Sequence, residues 1–258
     1  MQRNAIYTIL FATAVCIVCA IVVSSAAVSL KPAQDINAAL EKQRNVLLAA
    51  GLLEADEKVD AAEAQRRFEN IRMVVVNLET GEENPDIDAA SFDQVRAAKD
   101  PETSSVAPAN RALVQRLPDN VLVYKVLGDD GVEGVVLPVQ GYGLWSTMYG
   151  FFALESDWDT VRGITFYQHG ETPGLGGEID NPKWKARWPG RKTFSEDGEP
   201  KIRVIKGLAG PPAEDPYHVD GLSGATLTSN GVTNLLHFWL GEEALGPYLA
   251  KLSQGRAI

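Results

Sequence analysis

The chain has 258 residues, with 24 Lys and Arg against 34 Asp and Glu and a formal net charge of −10; that acidity excludes nucleic acid and an anionic membrane surface as partners. Its length allows one large domain or two small ones beyond any anchor. Both cysteines, Cys16 and Cys19, fall in the first apolar segment, which excludes a disulfide or a cysteine metal site anywhere later in the chain.

Residues 4–30 contain no charge, and 5–23 are almost wholly apolar. That is long enough for a helix across the hydrocarbon core. A cleaved signal peptide is the competing reading, because Ser24, Ser25, Ala26 and Ala27 make a small-residue stretch that a peptidase could accept. Arg3, the one charge before the span, places the N-terminus in the cytoplasm and the bulk of the chain in the periplasm. The two cysteines then read as small apolar residues of a membrane helix, with an intermolecular ligand role as the alternative. No carboxylate lies in the span, so the chain offers no ion path of its own.

Residues 35–53 carry apolar side chains at helical spacing and predict a helix leaving the membrane, ended at Gly51. A second, polar helix is expected at 60–70 and a strand at 71–78, around Val74, Val75 and Val76. Residues 79–108 read as an irregular insertion with one helix near 92–99. Strands follow at 121–127, 132–139, 147–154 and 160–169, the first two joined by the turn Gly128-Asp129-Asp130-Gly131. A further strand is expected at 201–206, and helices at 229–240 and 242–254. Strands run consecutively and helices cluster after them, which predicts an α+β fold with a mostly antiparallel sheet flanked by helices. The expected division is 1–34 for the cytoplasmic N-terminus and transmembrane anchor, 35–110 for a helical and insertion region, and 111–258 for a ligand-binding domain.

Two motifs stand out. His169-Gly170-Glu171-Thr172-Pro173-Gly174-Leu175-Gly176-Gly177 is a loop whose glycines let backbone approach a flat ligand. Its spacing is wrong for a dinucleotide fingerprint. Asp220-Gly221-Leu222-Ser223-Gly224-Ala225-Thr226, followed by Leu227 and Thr228, places an accessible hydroxyl at the start of a helix. Thr228 or Ser229 reads as the N-cap, and the dipole end favours a phosphate beside Thr226. A plain turn into a capped helix is the bland alternative. A hydrolase nucleophile is a poorer one, because the segment misses the Gly-x-Ser-x-Gly spacing. The three histidines, 169, 218 and 237, are scattered without metal-ligand spacing, and His237 reads as a partly buried structural group. Trp184 and Trp188, four apart, are expected on one helix face and read as packing against the sheet or a partner.

The second motif matches at every specified position the Asp-x-x-Ser/Thr-Gly-Ala-Thr flavinylation motif of proteins that carry FMN as a threonine phosphoester. The first is similar to the Glu-Thr-Pro-Gly-Leu-Gly signature of the same family. Gly143-Leu144-Trp145-Ser146 is a third point of similarity. Trp145 could pack on the isoalloxazine edge and Ser146 could hydrogen-bond it, or Trp145 could be a core tryptophan. The resemblance covers nearly the whole chain and is to the C-subunit family of the Na⁺-translocating NADH:quinone oxidoreductases. The G-subunit family of the Rnf complexes, usually shorter in the 79–108 region, is the nearest alternative.

That resemblance implies FMN on Thr226, delivered from FAD by a Mg²⁺-dependent flavin transferase. The expected cofactor site comprises Thr226 with Ser223, Gly224, Ala225, Leu227 and Thr228, Glu171, Thr172, Gly174, Leu175 and Gly176, and Trp145 and Ser146. No catalytic residue and no metal ligand is expected. The implied role is a single-pass electron carrier in the bacterial inner membrane. It would relay electrons from a membrane iron–sulfur centre of the D and E subunits to flavin in the B subunit, with A and F as further partners and the lipid bilayer around the anchor. A tethered periplasmic flavin module with an assembly or sensory role is the alternative class.

Overall fold

The computed structural model describes residues 5–54, 57, 59–129 and 131–255. Arg3 and Asp130, used above for orientation and for a turn, lie outside them. The chain divides into two compact units, Met1–Lys42 and Gln43–Ile258. Helix α1 (Ala5–Ala49) supplies the first unit with its residues up to Lys42, and its apolar side chains from Ile6 to Leu30 are exposed. It is long and apolar enough to cross a membrane. One continuous helix stands where a span and a separate exit helix were expected. No glycine occurs between Ala5 and Ala50, and Pro32 alone does not end the run because strong helix formers flank it on both sides. The helix stops near Gly51, as expected, with Leu52 N–H returned to Leu47 O at 2.9 Å.

In the second unit, α2 (Ala61–Phe68) starts at Asp60, whose side chain accepts from Glu63 N–H. The strands are β1 (Ile71–Asn77), β2 (Glu82–Glu83), β3 (Ser104–Val106), β4 (Arg116–Pro118), β5 (Asn120–Gly128), β6 (Gly131–Tyr142), β7 (Thr147–Glu155) and β8 (Val161–Gln168). Helix α3 (Gln94–Lys99), capped by Asp93, lies before β3. Six strands make one sheet in the order β2, β1, β5, β6, β7, β8, every neighbouring pair antiparallel. The α+β expectation holds.

Both faces of that sheet are covered, which is why its strands read as apolar runs rather than as clean alternation. Val74 and Val76 of β1, Val121 and Val123 of β5, and Phe152 and Leu154 of β7 join the larger core. Val75, Leu122, Tyr124 and Phe151 face the other way, onto Val46, Leu47 and Ala49 at the end of α1 and onto Phe68. Thr165 donates to Asn45 O at 3.0 Å across this second face.

On the larger-core side lie α4 (Pro182–Lys185), the short parallel pair β9 (Arg203–Val204) and β10 (His218–Val219), α5 (Thr226–Leu240) and α6 (Gly246–Gly255). The strand expected at 201–206 shrinks to two residues, and its partner β10 carries no periodic signal. The helix expected from 242 starts at Gly246, because Leu245 N–H bonds Trp239 O and closes a turn first. The 79–108 region is less irregular than expected, since β3 pairs with β4 through Ser104 and Pro118. Trp184 and Trp188 do not share a helix face, for α4 ends at Lys185. They stack edge-on at 5.4 Å, with Trp188 also against Phe152 of the sheet.

Candidate functional site

Helix α5 begins at Thr226, three residues before the expected helix start at 229. Ala225 occupies the N-cap position and makes no side-chain cap bond, so Thr226 is the first helical residue. Thr228 and Ser229 cap nothing, because each is buried and bonded elsewhere: Thr228 Oγ1 donates to Glu171 at 2.5 Å, and Ser229 Oγ accepts from Leu222 N–H at 3.2 Å. The first backbone bond of the helix is Ser229 N–H to Ala225 O at 3.0 Å. The N–H groups of Thr226, Leu227 and Thr228 precede it, and among the described residues no side-chain cap bond reaches them. Gly224 reaches this corner with φ of 71°, a conformation costly for any other residue.

Thr226 is exposed and opens on a cavity of about 380 Å³ walled by 204–208, 221–224 and 229–230, within the usual range for a small-molecule pocket. Lys206 and Leu208 line it with Ser223 and Gly224. The glycine-rich loop does not wall this cavity. Sequence reasoning missed Lys206; a lone lysine just after a short strand carries no motif, and only the folded chain brings it to the cavity that Thr226 also lines.

The remaining expected residues sit on segments joined through Glu171. Its side chain accepts from Leu144 N–H and Trp145 N–H, each at 3.0 Å, as well as from Thr228. Ser146 Oγ accepts from Gly170 N–H at 2.6 Å. Glu171, Ser146 and Thr228 were expected at the cofactor; the structure commits their polar atoms to protein partners. Gly176 is buried, and a side chain has no room there: a Cβ would stand 2.5 Å from Thr228 Oγ1. In contrast, Thr172, Gly174, Leu175 and Leu227 are exposed, and Trp145 is 64% exposed, which removes the core-tryptophan reading. Leu144, Trp145, Leu175 and Leu227 together present large apolar side chains to solvent from three linked segments. Such clustering marks a ligand or protein contact.

The FMN-binding domain family model matches residues 143–241, which takes in all of these segments. The chain is 48% identical to the C subunit of the Na(+)-translocating NADH-quinone reductase of Yersinia pestis, over 96% of this chain and 93% of that protein. It is 46% identical to the same subunit of Pseudomonas aeruginosa, over 99% of each. The crystal structure of Shewanella oneidensis NqrC aligns with a TM-score of 0.76 at 35% identity, covering 83% of this chain and 97% of that one. The chain belongs to the C-subunit family of Na⁺-translocating NADH-quinone reductases.

In this member of the family, burial pushes the Glu171 carboxyl up, but the Thr228 hydroxyl and the N–H groups of Trp145 and Leu144 outweigh it and hold the group below its ordinary value. His237 of α5 shifts down, chiefly because burial disfavours its charged form, although Nε2 reaches Ile202 O at 2.7 Å. Both shifts have the same sign for stability. A lowered folded value means that the contribution is complete above the unfolded value and is lost as pH falls through the folded one. The thermal midpoint should therefore start to drop below about pH 6.5 as His237 is forced to charge, and drop further below about pH 4.3 as Glu171 is protonated. A pH series of thermal melts checks this, and a midpoint that rises on acidification from pH 7 to pH 4 contradicts it.

Proposed function

We propose that Thr226 Oγ1 carries FMN as a phosphoester, and that the chain is the membrane-anchored flavin carrier of a Na⁺-translocating NADH:ubiquinone reductase. One observation carries the reading: an exposed hydroxyl at the first position of an uncapped 15-residue helix, opening on a cavity that also holds Lys206. Uncovered N–H groups, the positive end of the helix dipole and a lysine ammonium all favour a phosphate there. The donor set fits the group.

Loading is a group transfer from FAD by a Mg²⁺-dependent flavin transferase. A phosphorus–oxygen bond forms at Thr226, the pyrophosphate bond of FAD breaks, the hydroxyl proton is released and AMP leaves. Bound FMN supplies one- and two-electron transfer. The chain's own residues do the rest. Ser223, Gly224 and Ala225 keep the approach to the hydroxyl low, Lys206 holds the phosphate, and Leu144, Trp145, Leu175 and Leu227 offer apolar surface to the ring. Thr172 and the backbone at Gly174 border that surface.

In this reading α1 is retained as a single-pass anchor in the bacterial inner membrane, with the bulk of the chain periplasmic. Electrons come from a membrane iron–sulfur centre of the D and E subunits and go to flavin in the B subunit, with the A and F subunits completing the assembly. A covalent tether prevents loss of the cofactor into an open compartment.

Intact-mass spectrometry of the chain co-expressed with the transferase tests the linkage. The expected gain is one FMN less one water; an unmodified chain overturns the proposal. Lys206→Glu should leave the fold intact and slow labelling severalfold in a timed assay with transferase and FAD. Labelling at the parent rate would remove Lys206 from the phosphate site.

A further inference from the structure

Glu171 is 5% exposed and, among the described residues, no ion pair reaches it. A buried carboxylate without a counter-ion is held only by hydrogen bonds. Here both oxygens are used, Oε1 by the Leu144 and Trp145 N–H groups and Oε2 by the Thr228 hydroxyl. Backbone closes on them from two sides: a Cβ on Gly143 would lie 2.5 Å from Oε1, and one on Gly176 would lie 2.7 Å from Oε2. The residue's own N–H donates to His169 Nδ1 at 3.2 Å, while His169 Nε2 meets Asp180 at 2.7 Å. A side chain enclosed in this way does not reach a ligand with its own atoms.

We propose that Glu171 is a positioning residue of the flavin site: its two oxygens lock the 143–146 segment to the first turn of α5, setting the apolar surface and the Thr226 corner in one arrangement before any cofactor arrives. The proposal rests on the reading of Thr226 as the attachment point. What matters in it is a hydrogen bond made at each end of one planar group, not charge. A glutamine at 171 keeps Oε1 as acceptor for both N–H groups and turns its NH₂ toward Thr228 Oγ1, which can accept. An alanine leaves two N–H groups and a hydroxyl without partners.

The test uses the full chain in detergent, as parent, Glu171→Gln, Glu171→Ala and Thr228→Val, each prepared with and without the flavin transferase. Without transferase, amide hydrogen exchange at Leu144 and Trp145 is followed. It should quicken about tenfold or more in Glu171→Ala and stay near the parent rate in Glu171→Gln, since one hydrogen bond of typical strength corresponds to about that factor. With transferase, covalent occupancy and the visible circular dichroism of the flavin are read. Glu171→Ala and Thr228→Val should lose occupancy severalfold and alter the dichroism of what remains, while Glu171→Gln matches the parent. Parent exchange rates and parent dichroism in Glu171→Ala would overturn the proposal, as would a Glu171→Gln that behaves like the alanine variant. Should Glu171→Ala fail to fold, Thr228→Val decides by occupancy and dichroism, because it removes one end of the lock and keeps the side-chain volume. A parent chain that takes up no flavin would sink the Thr226 reading alone, since the exchange rates test the lock without cofactor.

Discussion

Thr226→Val is expected to abolish the covalent flavin and leave the fold untouched. Valine keeps the branched shape and removes the one oxygen that can form the phosphoester. The position is exposed and lies at the first residue of α5, so the stability change should stay within about 0.5 kcal/mol. On a denaturing gel under ultraviolet light, the parent co-expressed with the transferase should fluoresce and the variant should be dark. Expression of the parent without the transferase should also give a dark band. In the assembled complex, NADH-driven quinone reduction should fall to background with Thr226→Val. If quinone reduction survives at the parent rate, the electron-carrier role is wrong and an assembly role takes its place. A fluorescent Thr226→Val band would instead move the attachment point to another hydroxyl, with exposed Ser223 of the same cavity as the next to test.

Trp239→Ala is expected to produce the largest loss of stability. The side chain is fully buried, stacks edge-on against Phe238 at 5.9 Å, and donates from Nε1 to Gln140 O at 2.7 Å, tying α5 to β6. Removing a buried indole costs about 3–5 kcal/mol, a large part of the roughly 5–15 kcal/mol that holds a domain together. For a unit of this size the melting midpoint should fall by roughly 6–20 °C. Trp239→Phe keeps most of the volume and gives up the hydrogen bond, so it should cost much less. Thermal melts followed by far-ultraviolet circular dichroism distinguish them. Equal midpoints for the two variants would mean that the Gln140 bond, and not the packing, carries the contribution. Because α5 also bears Thr226, the alanine variant should label poorly at 37 °C and recover when labelled in the cold.

Much of the fold was legible from local signals. β1, β5, β6, β7 and β8 were expected within a few residues of where they lie, because β-branched runs bounded by Gly, Asp and Pro leave little choice. β5 to β8 follow one another through short connections and pair antiparallel, whereas β1 joins β5 across a long one. Gly51 ended its helix as expected. The failures have one cause, that short elements are held by partners far away in the chain. β9 and β10 are two residues each and exist through one another. The hairpin of β3 with β4 sits inside a stretch whose composition reads as a loop.

The same division runs through the site. The sequence alone determined which hydroxyl stands near the start of a helix and which loop is built of glycines, because those properties follow from residue type and spacing; that Trp145 is exposed was decided by the structure. It also set the membrane-length helix, a matter of length and hydropathy. Only the tertiary structure decided who bonds to whom. Glu171 and Thr228 are 57 positions apart and meet at 2.5 Å, so two groups that read as ligand contacts bond each other. Lys206, which reads as nothing, comes to line the cavity of Thr226. A buried polar atom takes whichever partner the folded chain brings within reach, and that partner is not written in its neighbours.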